Sequence, residues 1–142
     1  MAISSAICNS FKQEILVGTH NLTASSGDTF KLALFTSSAS LGAGTTAYST
    51  SNEVSGTGYT AGGATLTSVT PVLDSSTAVC DFADVSFTSA SFTANGCLIY
   101  NDSQSDKAVA VIAFGGDKTV SSGTFTIQFP TADASNAIIR IA

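Results

Sequence analysis

The chain has no tryptophan, two prolines, three cysteines and one histidine, and only five Lys or Arg against ten Asp or Glu in 142 residues. Each scarcity excludes something. Charged residues make up 11% of the sequence, under half of the roughly 25% usual in soluble domains. The five cations are scattered singly, so no basic stripe exists to neutralise a phosphate backbone, and nucleic acid is not an expected partner. The longest apolar run, residues 108–114 (AVAVIAF), is too short to span a bilayer, so no membrane is expected either. The opening MAISSAICNSF lacks the basic and long apolar regions of a secretory signal. This predicts a protein made in a cytoplasm that stays there or leaves by lysis.

The remaining scarcities bear on chemistry. Cys8, Cys80 and Cys97 are odd in number, widely spaced and without a CxxC pair, which argues against a zinc site or a disulfide framework. They read as buried apolar thiols. His20 lies in a Thr-His-Asn-Leu turn, and no GxSxG elbow accompanies it. A Ser-His-acid triad therefore has no support, and His20 is expected to cap or to face solvent. Asp81 and Asp84, three apart on a strand, point to opposite faces. Asp102, Asp106 and Asp117 lack the dense alternating spacing of a calcium loop. The expectation is no metal, no cofactor and no enzyme.

What the sequence does have is hydroxyls: 22 Ser and 19 Thr, beside 44% hydrophobic residues. A hydroxyl that finds a partner costs far less to bury than a charge, so such an exterior suits contact with other proteins. The length fits one domain, residues 1–142, large enough to bury a core without metals or disulfides.

One segment reads as a helix, residues 4–17 (SSAICNSFKQEILV). Ile3, Ile7, Phe11 and Ile15 recur every four residues as a stripe. Ser4 or Ser5 supplies a cap, and Gly18 closes the end. After Gly27 the pattern is strands and turns. Residues 29–36 set Phe30, Leu32 and Leu34 on one face. Residues 124–129 (TFTIQF) alternate with period two, as a half-buried strand requires, and residues 85–88 (VSFT) do likewise. Residues 97–100 (CLIY) and 108–114 are apolar on both faces and flank a polar NDSQSDK, which predicts a hairpin of central strands. Residues 137–142 close as a strand with Ile139 and Ile141 opposite an exposed Arg140. Asn95-Gly96, Gly115-Gly116-Asp117 and Ser121-Ser122-Gly123 read as turns, and Pro71 and Pro130 as strand ends. The fold class predicted is all-β, a β-sandwich or jelly-roll-like barrel with one N-terminal helix.

Residues 37–64 are irregular and long enough to be functional. The segment 52–67 (NEVSGTGYTAGGATLT), which overlaps the end of this stretch, resembles a phosphate loop only superficially. Its third glycine falls one place late for GxGxxG, no Gly-Lys-Ser/Thr follows, and ATLTSV favours strand where an anion site needs a helix. The glycines are expected to serve turns or bulges.

Four stretches, FKQEILVGTHNL, GDTFKLALFTSSASLGAGTTAYSTSNEVSGTGYTAGGATL, DFADVSFTSASFTANGCLIYND and AVAVIAFGGDKTVSSGTFTIQFPTADASNAIIRIA, resemble a family of small all-β virion structural proteins of tailed bacteriophages. The family is variously a head decoration or cement protein or a tail-fibre-like protein. The resemblance implies location in the virion and a capsid decoration protein that binds the major capsid protein. The alternative is a tail-fibre or baseplate component that binds a host glycan. Many copies on a symmetric shell imply a homodimer or homotrimer. The expected docking elements are the helix and the 37–64 loop, with Ile3, Ile7, Phe11, Tyr48 and Tyr59 as partner-interface residues.

Overall fold

The alternating runs pair into two antiparallel sheets in a computed structural model that describes residues 2–142. Its elements are β1 (Ala6–Ile7), α1 (Asn9–Leu16), β2 (Phe30–Phe35), β3 (Ala64–Thr65), β4 (Ser68–Asp74), β5 (Thr77–Phe82), β6 (Val85–Asn101), β7 (Lys107–Ile127) and β8 (Ile139–Ile141). The larger sheet has the order β1-β7-β6-β2-β3, and the smaller β4-β5-β8. Phe82 of β5 meets Phe30 of β2 with ring centroids 5.9 Å apart, so the sheets share one core. The protein is an all-β sandwich with a single short helix. Among the described residues, no helix is long and apolar enough to cross a membrane.

The predicted hairpin of CLIY with AVAVIAF is present, with Cys97 opposite Ile112 and Leu98 opposite Val111. Its strands are much longer than the apolar runs suggest. Asn95-Gly96, Gly115-Gly116-Asp117 and Ser121-Ser122-Gly123 are not turns between strands; they lie within β6 and β7. The ladder shifts register at four places. At the largest shift Ala94 faces Lys118 while Gly96 faces Ala113, so β7 carries surplus residues there, with Gly115 and Gly116 at φ of 77° and 148°. Small residues that tolerate positive φ serve a bulge as readily as a turn, and a bulge bends the strand without ending it. Pro71 is likewise inside β4 and not at its end. It sits where the β4–β5 register shifts between Val69 and Val72, on an edge strand where the missing N–H is tolerated.

The helix is shorter than its hydrophobic stripe. Residues 6–7 are extended and pair with Ala110 and Val111 of β7, and Ile3 bridges Leu41. The free edge of β7 offers this segment backbone partners, and the four-residue apolar spacing does not distinguish helix from that alternative. Neither Ser4 nor Ser5 caps α1. Cys8 is the N-cap without a side-chain bond, and Ser5 Oγ accepts the Ala113 N–H instead. The other end follows the prediction: Gly18 has φ 77° and donates to the Ile15 carbonyl, while Thr19 donates to that of Glu14, a Schellman closure.

β2 is buried on both faces: Ala33 and Phe35 are covered as fully as Leu32 and Leu34. Ile139 is buried as predicted, but Ile141 is not: it is 56% exposed, at the outer edge of the small sheet. Leu98 sits at the centre of the molecule with no exposed surface. Leu98→Ala is expected to cost about 2–5 kcal/mol, whereas Ser86→Ala, on the outward face of the same strand, loses only a cross-strand hydroxyl pair and should cost at most about 1 kcal/mol. Urea unfolding of the two variants checks the contrast.

Candidate functional site

The loop between β2 and β3 is the longest irregular segment, and one carboxylate ties it down. Glu53 forms an isolated antiparallel bridge with Phe35, and Val54 N–H donates to the Leu34 carbonyl. This lays the middle of the loop along β2. Glu53 Oε2 accepts the Tyr48 hydroxyl at 2.6 Å; Oε1 accepts the Tyr59 hydroxyl at 2.6 Å and the Gly62 N–H at 2.8 Å. Tyr59 Oη in turn accepts the Leu34 N–H, and Tyr100 donates to the Gly62 carbonyl. The Tyr48 ring stacks on Tyr100, centroids 4.5 Å apart and 12° from parallel. Burial, and then the adjacent Glu53 carboxylate, raise Tyr48 and Tyr59 well above the usual phenol range. Burial and the neighbouring Tyr48 raise Tyr100. All three remain protonated donors. Gly63 closes the loop at φ 80°, where any Cβ would collide with the Leu32 carbonyl. The glycines here serve close approach and positive φ, and a strand follows them, not the helix an anion site requires.

The outer part of this loop and the N-terminal segment surround the largest concavity described, about 720 Å³. Ser38, Ser40, Thr45, Thr46, Ser49 and Ser51 line it over a floor that includes Phe35 and Ala39, and among the described residues no charged side chain contributes. It is a hydroxyl-lined cleft on a pinned loop.

A second polar node lies at the β6–β7 turn. His20, expected to cap or to face solvent, is 6% exposed. Its Nε2 is 3.0 Å from Glu14 Oε1, and Nδ1 is 2.9 Å from Asn101 Nδ2. The same amide nitrogen donates to Asp28 Oδ2 at 2.8 Å, and Glu14 Oε2 is 3.7 Å from Lys107 Nζ. An amide nitrogen has only donors, so Nδ1 must accept and Nε2 carries the proton toward Glu14. Burial alone would raise Asp28, but hydrogen bonds from Asn101, the Asn21 N–H and Gln104 outweigh it and hold the carboxyl below its usual range. These contacts fasten α1 and the 18–28 segment to the hairpin turn.

The five residues assigned to a partner interface are engaged within the chain. Phe11 is 2% exposed and lies 4.8 Å from the His20 ring. Ile3 and Ile7 pack on the core from extended segments, and Tyr48 and Tyr59 belong to the clamp. The loop nucleus was signalled in the sequence, because Glu53 is the only charged residue from 37 to 73 and has a tyrosine on either side. The His20 node carried no comparable signal, since its members are spread from residue 14 to residue 107. The aspartates of CDFADVSF take separate local roles: Asp81 accepts the Phe82 N–H and Asp84 that of Phe129. Asp102 pairs with Lys31, and Asp117 accepts from Asn95. Among the described residues no three His, Cys, Asp or Glu side chains gather as a metal-binding group. The three cysteines are unpaired; burial pushes Cys8 up to about 11 and Cys97 to about 12, and raises Cys80 as well. None is a thiolate nucleophile at neutral pH.

No family model, curated protein or solved structure matches the chain.

Glu53→Gln keeps the shape of the clamp but puts amide donors among hydroxyl and N–H donors. It is expected to cost about 1–3 kcal/mol and to speed amide exchange selectively across residues 36–63, as hydrogen-exchange mass spectrometry reads. Asp28 sets an acid limb. Its folded pKa is depressed, so its contribution is complete above the unfolded value of about 3.9 and is lost as pH falls through the lower folded value. Asp28→Asn is expected to flatten the fall in urea midpoint with pH below about 4.

Proposed function

We propose that this chain is a bacteriophage virion structural protein, a capsid decoration or cement protein that seats on the major capsid protein and bridges neighbouring subunits. The observation that carries the reading is the uncharged, hydroxyl-lined cleft of about 720 Å³ on a loop pinned by Glu53. Such a surface is fixed before binding, so little conformational freedom is lost on docking. Its hydroxyls exchange water for partner groups at small cost, where charges would resist burial. Cementing is then added interface across a seam, and a standard contact buries about 1,200–2,000 Å². The likeness of the four sequence stretches to phage structural proteins supports the same reading.

The tail-fibre alternative draws no support from the aromatics. A sugar platform needs an open ring face, and Tyr48, Tyr59 and Tyr100 are committed to one another, to Glu53 and to Phe87 and Phe92.

The reading is tested on purified particles of the phage that encodes the chain. A quantitative gel is expected to give hundreds of copies per head; a handful would transfer the protein to the tail. Ser40→Arg and Thr46→Arg, both at exposed cleft positions, are expected to weaken rebinding to stripped heads at least about tenfold. Full occupancy by both variants would remove the cleft from the interface.

A further inference from the structure

The bonding around His20, the only histidine in the chain, admits one protonation state. Glu14 Oε1, from α1, stands 3.0 Å from its Nε2, and Asn101 Nδ2, at the end of β6, stands 2.9 Å from its Nδ1. The Asn101 amide is not free to turn. Its oxygen accepts the Ser103 N–H at 3.0 Å, and its nitrogen also donates to Asp28 Oδ2 at 2.8 Å. A backbone N–H demands an oxygen and a carboxylate demands a donor, so the amide is locked with its nitrogen toward the imidazole. The nearby rings of Phe11 and Phe30, with centroids 4.8 and 6.4 Å away, supply no other acceptor.

Two demands oppose each other here. The carboxylates of Glu14 and Asp28 attract positive charge to the ring, and Lys107, 3.7 Å from Glu14 Oε2, tempers the first of them. The locked amide excludes a second proton, because an Nδ1–H would face another N–H. A proton from water settles on Nδ1 only if the amide inverts and offers its oxygen. Inversion breaks both of its other bonds. Oδ1 then confronts the Asp28 carboxylate, and Nδ2 confronts the Ser103 N–H.

The turn that Asn101 holds is strained, and it carries part of the cleft wall. Ser105 and Asp106 have φ of 54° and 58°, the left-handed region that residues with a Cβ avoid. Such a turn persists only while its surroundings hold it. Its start is held by Asn101, whose side-chain and backbone oxygens accept the Ser103 and Gln104 N–H groups. At its far end the Asp106 carbonyl accepts the Tyr48 N–H at 2.9 Å, and the Ala108 N–H donates to the Thr46 carbonyl at 3.0 Å. Thr46 and Ala47 line the hydroxyl cleft. We infer that His20, Asn101 and the 101–107 turn form a proton-operated latch on that cleft. A second proton on His20 inverts the Asn101 amide, relaxes the turn and loosens the Thr46–Tyr48 wall. The latch is a property of the molecule alone and stands without the capsid reading.

NMR of the isotope-labelled full chain tests it between about pH 8 and about pH 5, the interval in which a histidine ordinarily changes charge. At the upper end the imidazole is expected to carry its proton on Nε2, with Nδ1 bare. As the ring takes its second proton, the Asn101 side-chain amide and the Ser103 and Tyr48 N–H signals should move with the same midpoint. Amide exchange across residues 46–48 and 101–108, corrected for its intrinsic pH dependence, should quicken at least about tenfold. His20→Gln has no proton to gain and should keep that exchange flat. Glu14→Gln preserves the amide lock and removes the adjacent charge, so all the signals should shift together to a lower midpoint. A neutral ring protonated on Nδ1, a ring still neutral at about pH 5, or a ring that charges while Asn101, Ser103 and Tyr48 stay unmoved would overturn the proposal. So would exchange in His20→Gln that quickens as in the wild type.

Discussion

The antiparallel ladder between β6 and β7 runs from Val85–Ile127 at its open end to Asn101–Lys107 at its turn, and the principal anchors of the fold lie on one of its two strands. β2 pairs with β6, and β1 with β7. Asn101 and Lys107 hold the polar node that docks α1, and Tyr100 holds the loop that walls the cleft. Such long strands cannot stay straight and still wrap a core. The four register shifts allow the ribbon to bend, so that one half lies within the five-stranded sheet and the other presents Phe87, Phe92 and Phe125 to Tyr59 and Phe114.

Few charges are present, and several of them are structural. Glu14, Asp28 and Lys107 connect segments distant in sequence, and Glu53 gathers Tyr48, Tyr59 and Gly62 within its own loop. The outer face of the distal ribbon is managed differently, by hydroxyl pairs across strands: Ser86 with Thr126 at 3.0 Å and Thr93 with Thr119 at 2.8 Å. Pairs of this kind contribute roughly 0.2–1 kcal/mol each and leave a neutral surface.

Period-two alternation made β2, residues 85–88 and 124–129 and the end of the chain readable as strands, because side-chain direction in a strand depends only on parity, while the central hairpin was readable from two apolar runs flanking a polar turn. Bulges break parity, which is why Gly115-Gly116-Asp117 and Ser121-Ser122-Gly123 read as turns although they lie inside β7. Residues 6–7 read as helix because spacing alone does not reveal that β7 has a free edge to pair with. His20 read as a cap or a surface residue because a lone histidine in a polar turn is usually one of these; its burial depends on Asn101, 81 positions away. Of the loop, length and irregularity were legible; Glu53 was missed, although it is the only charged residue from 37 to 73, and that Tyr48 and Tyr59 turn inward to it follows only from the folded backbone.

The tyrosine clamp has an optical consequence. With no tryptophan in the chain, Tyr48, Tyr59 and Tyr100 are its only near-ultraviolet emitters of any strength, and all three converge on Glu53 or Gly62. A carboxylate accepting a phenol proton quenches that phenol's excited state, so the folded molecule should be dim, and brightening should report the loop lifting away. The protein carries its own lamp beside the loop that walls its hydroxyl-lined cleft.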